Sequence, residues 1–351
     1  MTELRQNIVA KVLATALGFC LLDLAFAAEE KAVAYVSNQD GGVTIIGLDS
    51  LTKLGEFDGE SKSPRGIGVT ADGKYVLTAN RDSGDMSVFD AATKKLVKRI
   101  AIGQNPEFIR VYGNYAYVTY EPSSKLGPPG QAQEDDDEEK LPAGIAVVDL
   151  TELKLLRTIM SGPETEGVEF SADGKVMLVT NEGDNTITVY ALPGGKLLKK
   201  IDTTQQGARP RGIKISPDGE LYAVTLELGD KVMMLDRDFK PLKTMATGAT
   251  PYGVAFDRDG KRLFVAASRA KQLQVFDTKT FELVKSIPTG DRCWHFTFTP
   301  DDSKIMLACG KSHEVIVIDA KSYAMVKKIG DLKTPWGIIT YPKAMGSLDA
   351  P

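Results

Sequence analysis

Cysteine, histidine and tryptophan are scarce in this chain: 351 residues hold three Cys, two His and two Trp. So few cysteines exclude a small domain held together by disulfides, and the lack of any Cys-x-x-Cys-His run excludes covalent haem attachment. Charge of one sign is lacking too. Lys plus Arg number 43 against 47 Asp plus Glu, a net of −4, which excludes the basic balance of a dedicated duplex-DNA binder. No long stretch carries helical periodicity. A Gly-x-Ser-x-Gly elbow, a Walker loop, a His-Glu-x-x-His pair and a dinucleotide fingerprint are all missing from any context that would support them. What is present is 42% apolar side chains with 33 Gly and 17 Pro, enough for a large core interrupted by many turns, which excludes intrinsic disorder.

The first 27 residues read as a secretory signal peptide: Arg5 and Lys11, an apolar run from Val12 to Ala27, and the small-x-small site Ala25-Phe26-Ala27 before Ala28-Glu29-Glu30. That run is short for a bilayer and contains Asp23, so a membrane-spanning anchor is not expected. A periplasmic or secreted protein follows. Cleavage removes Cys20 and leaves Cys293 and Cys309, an even pair suited to an oxidising compartment.

From there the chain repeats. Equivalent segment starts fall at Pro64, Pro106, Thr165, Pro210, Pro251, Cys293 and Pro335, spaced by 42, 59, 45, 41, 42 and 42 residues. Each unit holds four short segments that alternate apolar and polar or are β-branched, separated by turns such as Asp72-Gly73, Asp173-Gly174, Asp218-Gly219 and Asp259-Gly260. Four strands per repeat of this length is a β-propeller blade. The last start supplies only an innermost strand, while residues 32–58 supply the other three. Together they complete one blade and close the ring. The expectation is an all-β, seven-bladed propeller of four-stranded antiparallel blades over residues 28–342, with 343–351 as a tail.

Tyr35-Val36-Ser37-Asn38, Tyr117-Val118-Thr119-Tyr120 and Leu178-Val179-Thr180-Asn181, with the Pro-x-Gly starts and Asp-Gly turns, resemble the YVTN-repeat propellers of bacterial envelopes. Arg292-Cys293-Trp294-His295 and Thr334-Pro335-Trp336-Gly337-Ile338 are similar to a seven-repeat periplasmic subgroup associated with pyrroloquinoline quinone-dependent alcohol catabolism. The resemblance implies fold and export but no settled reaction.

The long interval holds an insert over residues 121–143, with Gly127-Pro128-Pro129-Gly130 and six consecutive acids from Glu134 to Glu139. Mutual repulsion and the Gly-Pro content point to a solvated loop. Without those six negative charges the remaining net of −4 becomes about +2, so the loop is also suited to steering a cationic partner. It lacks the spaced ligands and turn glycine of an EF-hand calcium loop.

Repeat arithmetic converts the sequence into rings of candidates around the channel. The residue after each start is Arg65, Glu107, Glu166, Arg211, Tyr252, Trp294 or Trp336. The next is Gly in five units, Phe108 and His295 in the others. Where the second strand leaves on the same face stand Arg81, Glu121, Glu182, Glu227, Ser268, Gly310 and Gln39. These define a mouth where aromatics supply contact area and charges orientation for a small ligand or a periplasmic protein. In that reading Trp294 and Trp336 are exposed, so replacing them should abolish binding and leave folding intact. The alternative is that Arg65, Glu107, Glu166 and Arg211 pair with each other across a solvent-exposed channel.

Cys293, His295, Cys309 and His313 cluster in one unit. If Thr299 and Ser303 flank a three-residue loop, Cys293 sits opposite Cys309, as a cross-strand disulfide requires, whereas a four-residue loop would offset them by one. Unbonded packing residues and a zinc or copper site are the competing readings, since thiolate and imidazole suit either metal. No cofactor is required by the sequence, and none is identified. With no catalytic motif, the expectation is a non-catalytic propeller binding a ligand or partner at the mouth, accessory to periplasmic quinoprotein metabolism. The alternatives are a lactonase-like hydrolase using mouth carboxylates, as in some resembled propellers, and a metal-binding propeller.

Overall fold

The computed structural model describes residues 32–57, 61–122 and 143–349. The proposed leader and the acidic run lie outside them. Alternation of apolar and polar residues gives antiparallel strands in seven four-stranded sheets, arranged as the blades of a propeller. The closing blade joins the innermost strand Pro335–Tyr341 to Val33–Asn38, Val43–Gly47 and Lys53–Glu56. Its register sets Tyr35 opposite Ile339 and Val36 opposite Ile338, so the two ends of the repeat array share one sheet. Among the described residues no helix is long and apolar enough to cross a membrane.

Two local features recur at the start of every innermost strand. The residue before each start is left-handed although none is glycine: Ser63, Asn105, Glu164, Arg209, Thr250, Arg292 and Thr334 have φ between 52 and 60°. A register shift then follows in each innermost strand. It lies between the first and fourth residues of that strand in every blade, the closing one included, except the blade that starts at Cys293, where it lies between the first and third. Such bulges re-aim side chains, and these turn the second residue of the strand toward the axis. The glycines that follow serve close packing rather than turning: a Cβ on Gly66 or Gly212 would come within 2.6 and 2.4 Å of the Glu107 and Tyr252 carbonyl oxygens of the next blade.

The core lies between blades, where sheets face one another. Leu77, Val88, Ile109, Val118 and Ala146 fill one such interface, and Phe264, Phe296, Phe298, Leu307 and Ile316 another. Cys293 pairs with Cys309 in register and their sulfurs are bonded. Beyond the closing strand the chain turns into the channel. Residues Ala344, Met345, Ser347, Leu348 and Asp349 are buried, the Phe298 N–H donates to the Met345 carbonyl at 2.8 Å, and the Ser347 N–H to the Phe296 carbonyl at 2.9 Å. Residues 343–349 thus form a strap along the channel side of blade six, the sheet of residues 293–329.

Candidate functional site

Three tiers of side chains line the channel, because innermost strands place residues two, three and five from each start at successive depths. The upper tier divides into a charged half and an aromatic half. In the charged half Arg65 pairs with Glu107. Arg211 holds Glu166 at 2.9 Å, Glu182 at 2.5 Å and Glu227 at 3.0 Å, with its guanidinium 4.0 Å from the centre of the Tyr252 ring. Arg209 adds pairs to Glu164 at 3.1 Å, to Glu227 at 3.7 Å and to Glu182. Asn105 donates to Glu121 at 2.8 Å and accepts from Arg81 at 3.0 Å.

The aromatic half is Tyr252, Trp294 and Trp336, with His295 one tier below. The His295 ring centre is 4.3 Å from that of Trp336 and 5.3 Å from that of Tyr252. Trp336 is only 2% exposed and Trp294 8%, which corrects the expectation of exposed mouth residues whose replacement leaves folding intact. Truncating a buried Trp costs about 3–5 kcal/mol. Arg65 and Arg209 keep their side chains 15% and 21% accessible, so solvent reaches the cluster past these two guanidiniums.

Burial governs the ionisation of the carboxylates. Loss of water, reinforced by Glu182 and opposed by Arg211, raises Glu121 to about 7. Burial likewise raises Glu166 to about 8 against the pull of Arg211, with Glu121 pushing further upward. Glu182 is raised well above the usual range for the same reason. Near neutrality these acids therefore hold protons between them as a coupled group. His295 moves the other way, pushed well below the ordinary imidazole range by burial and then by Arg211 and Lys214.

Oxygen atoms of Glu107, Glu121 and Glu166 approach within 4.8 Å of one another, the one group of three or more metal-capable side chains so gathered among the described residues. Carboxylate donors suit a hard divalent cation rather than zinc or copper. The Cys and His reading of a metal centre is corrected: the disulfide removes both thiols, His295 lies buried in the channel, and His313 sits on an exposed left-handed turn where its Nδ1 accepts from the Thr334 N–H at 3.3 Å.

Of the mouth candidates the structure brings together Arg65 with Glu107, Arg211 with Glu166, Glu182, Glu227 and Tyr252, and His295 with Trp336. It links Arg81 to Glu121 only through Asn105. Shifting the same arithmetic two residues earlier would have found Asn105, Glu164 and Arg209. Shifting it three residues later gives the lower tier, where Arg110 binds Glu169 at 3.1 Å and Asp349 at 2.6 Å, and Lys214 lies 3.4 Å from Glu169. Burial, with Arg110 as neighbour, lowers Lys214 to about 8.

Residues 108–250 match the model of a family described as lactonase, 7-bladed beta-propeller. No curated protein matches the chain. Among solved structures, a Kuenenia stuttgartiensis hydrazine synthase is 21% identical, with a TM-score of 0.67 over 82% of this chain and 92% of that one. A Bacteroides uniformis protein titled a putative 6-phosphogluconolactonase is 16% identical, and the periplasmic gluconolactonase of Pseudomonas aeruginosa is 15% identical. Each of these two has a TM-score of 0.71, over 88% of this chain and 99% of its own. At such identities the likeness is one of fold. The match over residues 108–250 to that family model overturns the expectation of a non-catalytic binder in favour of the lactonase-like alternative.

Proposed function

We propose that the protein is a lactone hydrolase whose chemistry occurs at the charged half of the mouth. The observation that carries this reading is the packing of Glu107, Glu121 and Glu166 within 4.8 Å beside Arg65 and Arg211. Ester hydrolysis needs a base for water, a cation for the developing oxyanion and an acid for the departing ring oxygen. Glu121, the first of the two raised carboxyls to ionise, takes a proton from water as the oxygen attacks the lactone carbonyl. Arg65, the more exposed guanidinium, stabilises the oxyanion. Glu166, which holds its proton to higher pH, passes it to the leaving alkoxide, and one water and one lactone become one hydroxy acid. Neighbouring carboxyls pushed to different ionisation are a recurrent way of dividing acid and base roles.

The leader-like first residues support action in the periplasm, and strands such as Tyr35-Val36-Ser37-Asn38 support membership of the YVTN type. The resemblance to the quinoprotein-associated subgroup fits the same chemistry, since oxidation of a cyclic hemiacetal yields a lactone for a hydrolase to open.

The experiment is acid release from glucono-1,5-lactone and its 6-phosphate, followed with a pH indicator above the spontaneous rate. Wild type should accelerate at least one, and Glu121→Gln and Glu166→Gln should each lower kcat by about 100-fold or more, the usual range for a lost acid or base. No acceleration of either compound, or of simple γ- and δ-lactones, sinks the proposal.

A further inference from the structure

The ring is complete before residues 343–349 begin: the closing strand ends at Tyr341 and pairs with Val33 there. The strap is therefore not what holds the blades in a circle. Its contacts lie inside the channel instead. Leu348 is fully buried in one cluster with Tyr252, Trp294, Trp336 and Phe108, and a Cβ on Gly337 would lie 2.9 Å from its Cδ1. The Ser347 hydroxyl is 3.1 Å from His295 Nδ1 and receives the Phe296 N–H at 3.0 Å, while His295 Nε2 is buried with no hydrogen-bond partner. Asp349 fastens the far end to Arg110 at 2.6 Å and to Lys343 at 2.8 Å.

We infer that residues 343–349 are the floor of the mouth, with Ser347 a positioning residue for His295 and Leu348 the support beneath Trp336 and Tyr252. The strap arrives from the far side of the ring and fills the space that the third-position glycines leave open. Small residues make this possible: Gly346 bridges to Thr297, and a side chain there would meet Thr297 Oγ1 at 3.0 Å. Held this way, His295 is packed between Phe108, Tyr252 and Trp336 and kept from water; the charged and titratable groups around it are Arg211, Lys214, Tyr252, Arg110, Glu169 and Asp349, with Arg65, Glu107 and Glu166 in the tier above. Without the floor, water enters from below, the imidazole regains hydration, and its protonation returns toward the ordinary value near 6.5.

This inference stands apart from lactone hydrolysis, and its readout needs no substrate. The only two tryptophans of the chain, Trp294 and Trp336, are both in the aromatic half, so intrinsic fluorescence reports on this place alone. Protonated imidazole quenches an adjacent indole. In a chain ending at Pro342, acrylamide quenching should rise by about threefold or more, and emission should fall with a midpoint near pH 6.5 that the full chain lacks between pH 5.5 and 7. His295→Gln in the shortened chain should abolish that midpoint, separating it from titration of Glu121 and Glu166. Ser347→Ala and Leu348→Ala in the full chain give the same two readouts where the shortened chain does not fold. The first should bring the pH-dependent quench and the second the acrylamide access. A folded shortened chain, or this pair of point variants, with wild-type quenching and wild-type pH profile overturns the inference.

Discussion

Thr180 shows what a single side chain does in this fold. Its hydroxyl donates to the Arg211 carbonyl of the next blade at 2.6 Å and accepts the Gly167 N–H, freed by the bulge, at 2.8 Å. Thr225 makes the equivalent bonds to the Tyr252 carbonyl and the Gly212 N–H, both at 2.8 Å. Ser37 receives the Gly337 N–H at 3.0 Å and donates to the Arg65 carbonyl at 2.5 Å. One hydroxyl thus satisfies the bulge in its own blade and fixes the upper-tier residue of its neighbour. Thr180→Val should leave both groups buried and unpaired, costing about 2–6 kcal/mol at about 1–3 kcal/mol for each such group. Urea unfolding measures this, and Thr180→Ser should recover most of it; a valine variant as stable as wild type would refute the account. The Val-Thr-Asn and Val-Ser-Asn runs were visible as a repeat mark in the sequence. Their purpose was not, because the partners are backbone groups about 31 or 27 residues away whose proximity depends on blade-to-blade packing.

Within the strands, period-two alternation and Asp-Gly turns made the blades legible, and two partial ends made the closure legible. The bulges were not, since they leave no residue signature beyond the glycines that follow them. Blade six illustrates the consequence. Phe298 pairs with Ile305 and His295 with Ala308, a register that without interruption sets Cys293 opposite Gly310; the bulge at Trp294 moves it opposite Cys309 instead. A symmetric three-residue loop was therefore the wrong route to that opposition. The bridge spans a sequence separation of 16 between strands already paired, so its removal should cost at most about 2–3 kcal/mol. Replacing Cys293 and Cys309 together by Ser should speed amide exchange in blade six, residues 293–329, while the other blades keep wild-type protection. Alkylation of denatured, unreduced protein should label no cysteine but Cys20. Labelling of Cys293 or Cys309 would refute the bridge, and uniform loss of protection would refute its local role.

Around the whole ring, half of the mouth could be named in advance because charge and aromaticity recur at one repeat position. The strap could not be named, because Ala344-Met345-Gly346-Ser347-Leu348 has no period and gains its meaning only from the channel it enters. The buried acids of the mouth make stability depend on pH in a direction opposite to the familiar one. Glu121 at about 7 and Glu166 at about 8 lie above the ordinary carboxylate value, so the folded ring binds protons that the unfolded chain has released. The stability they contribute is complete below about pH 4.5 and is lost as pH rises through 7 and 8. His295, depressed by burial, acts in the reverse sense, favouring the folded state as pH rises to about 6.5 and contributing no further slope above it. The window in which the carboxyls act unopposed is therefore pH 6.5–8. Urea midpoints should fall across it, each proton held only by the folded state accounting for up to about 1.4 kcal/mol per pH unit. Glu166→Gln, which cannot ionise, should flatten that fall while leaving the acid side of the profile, set by exposed turn acids such as Asp173 and Asp301 at about 2, as in wild type. Equal slopes for wild type and variant between pH 6.5 and 8 would show that Glu166 is ionised throughout, and would remove the acid role assigned to it at the mouth.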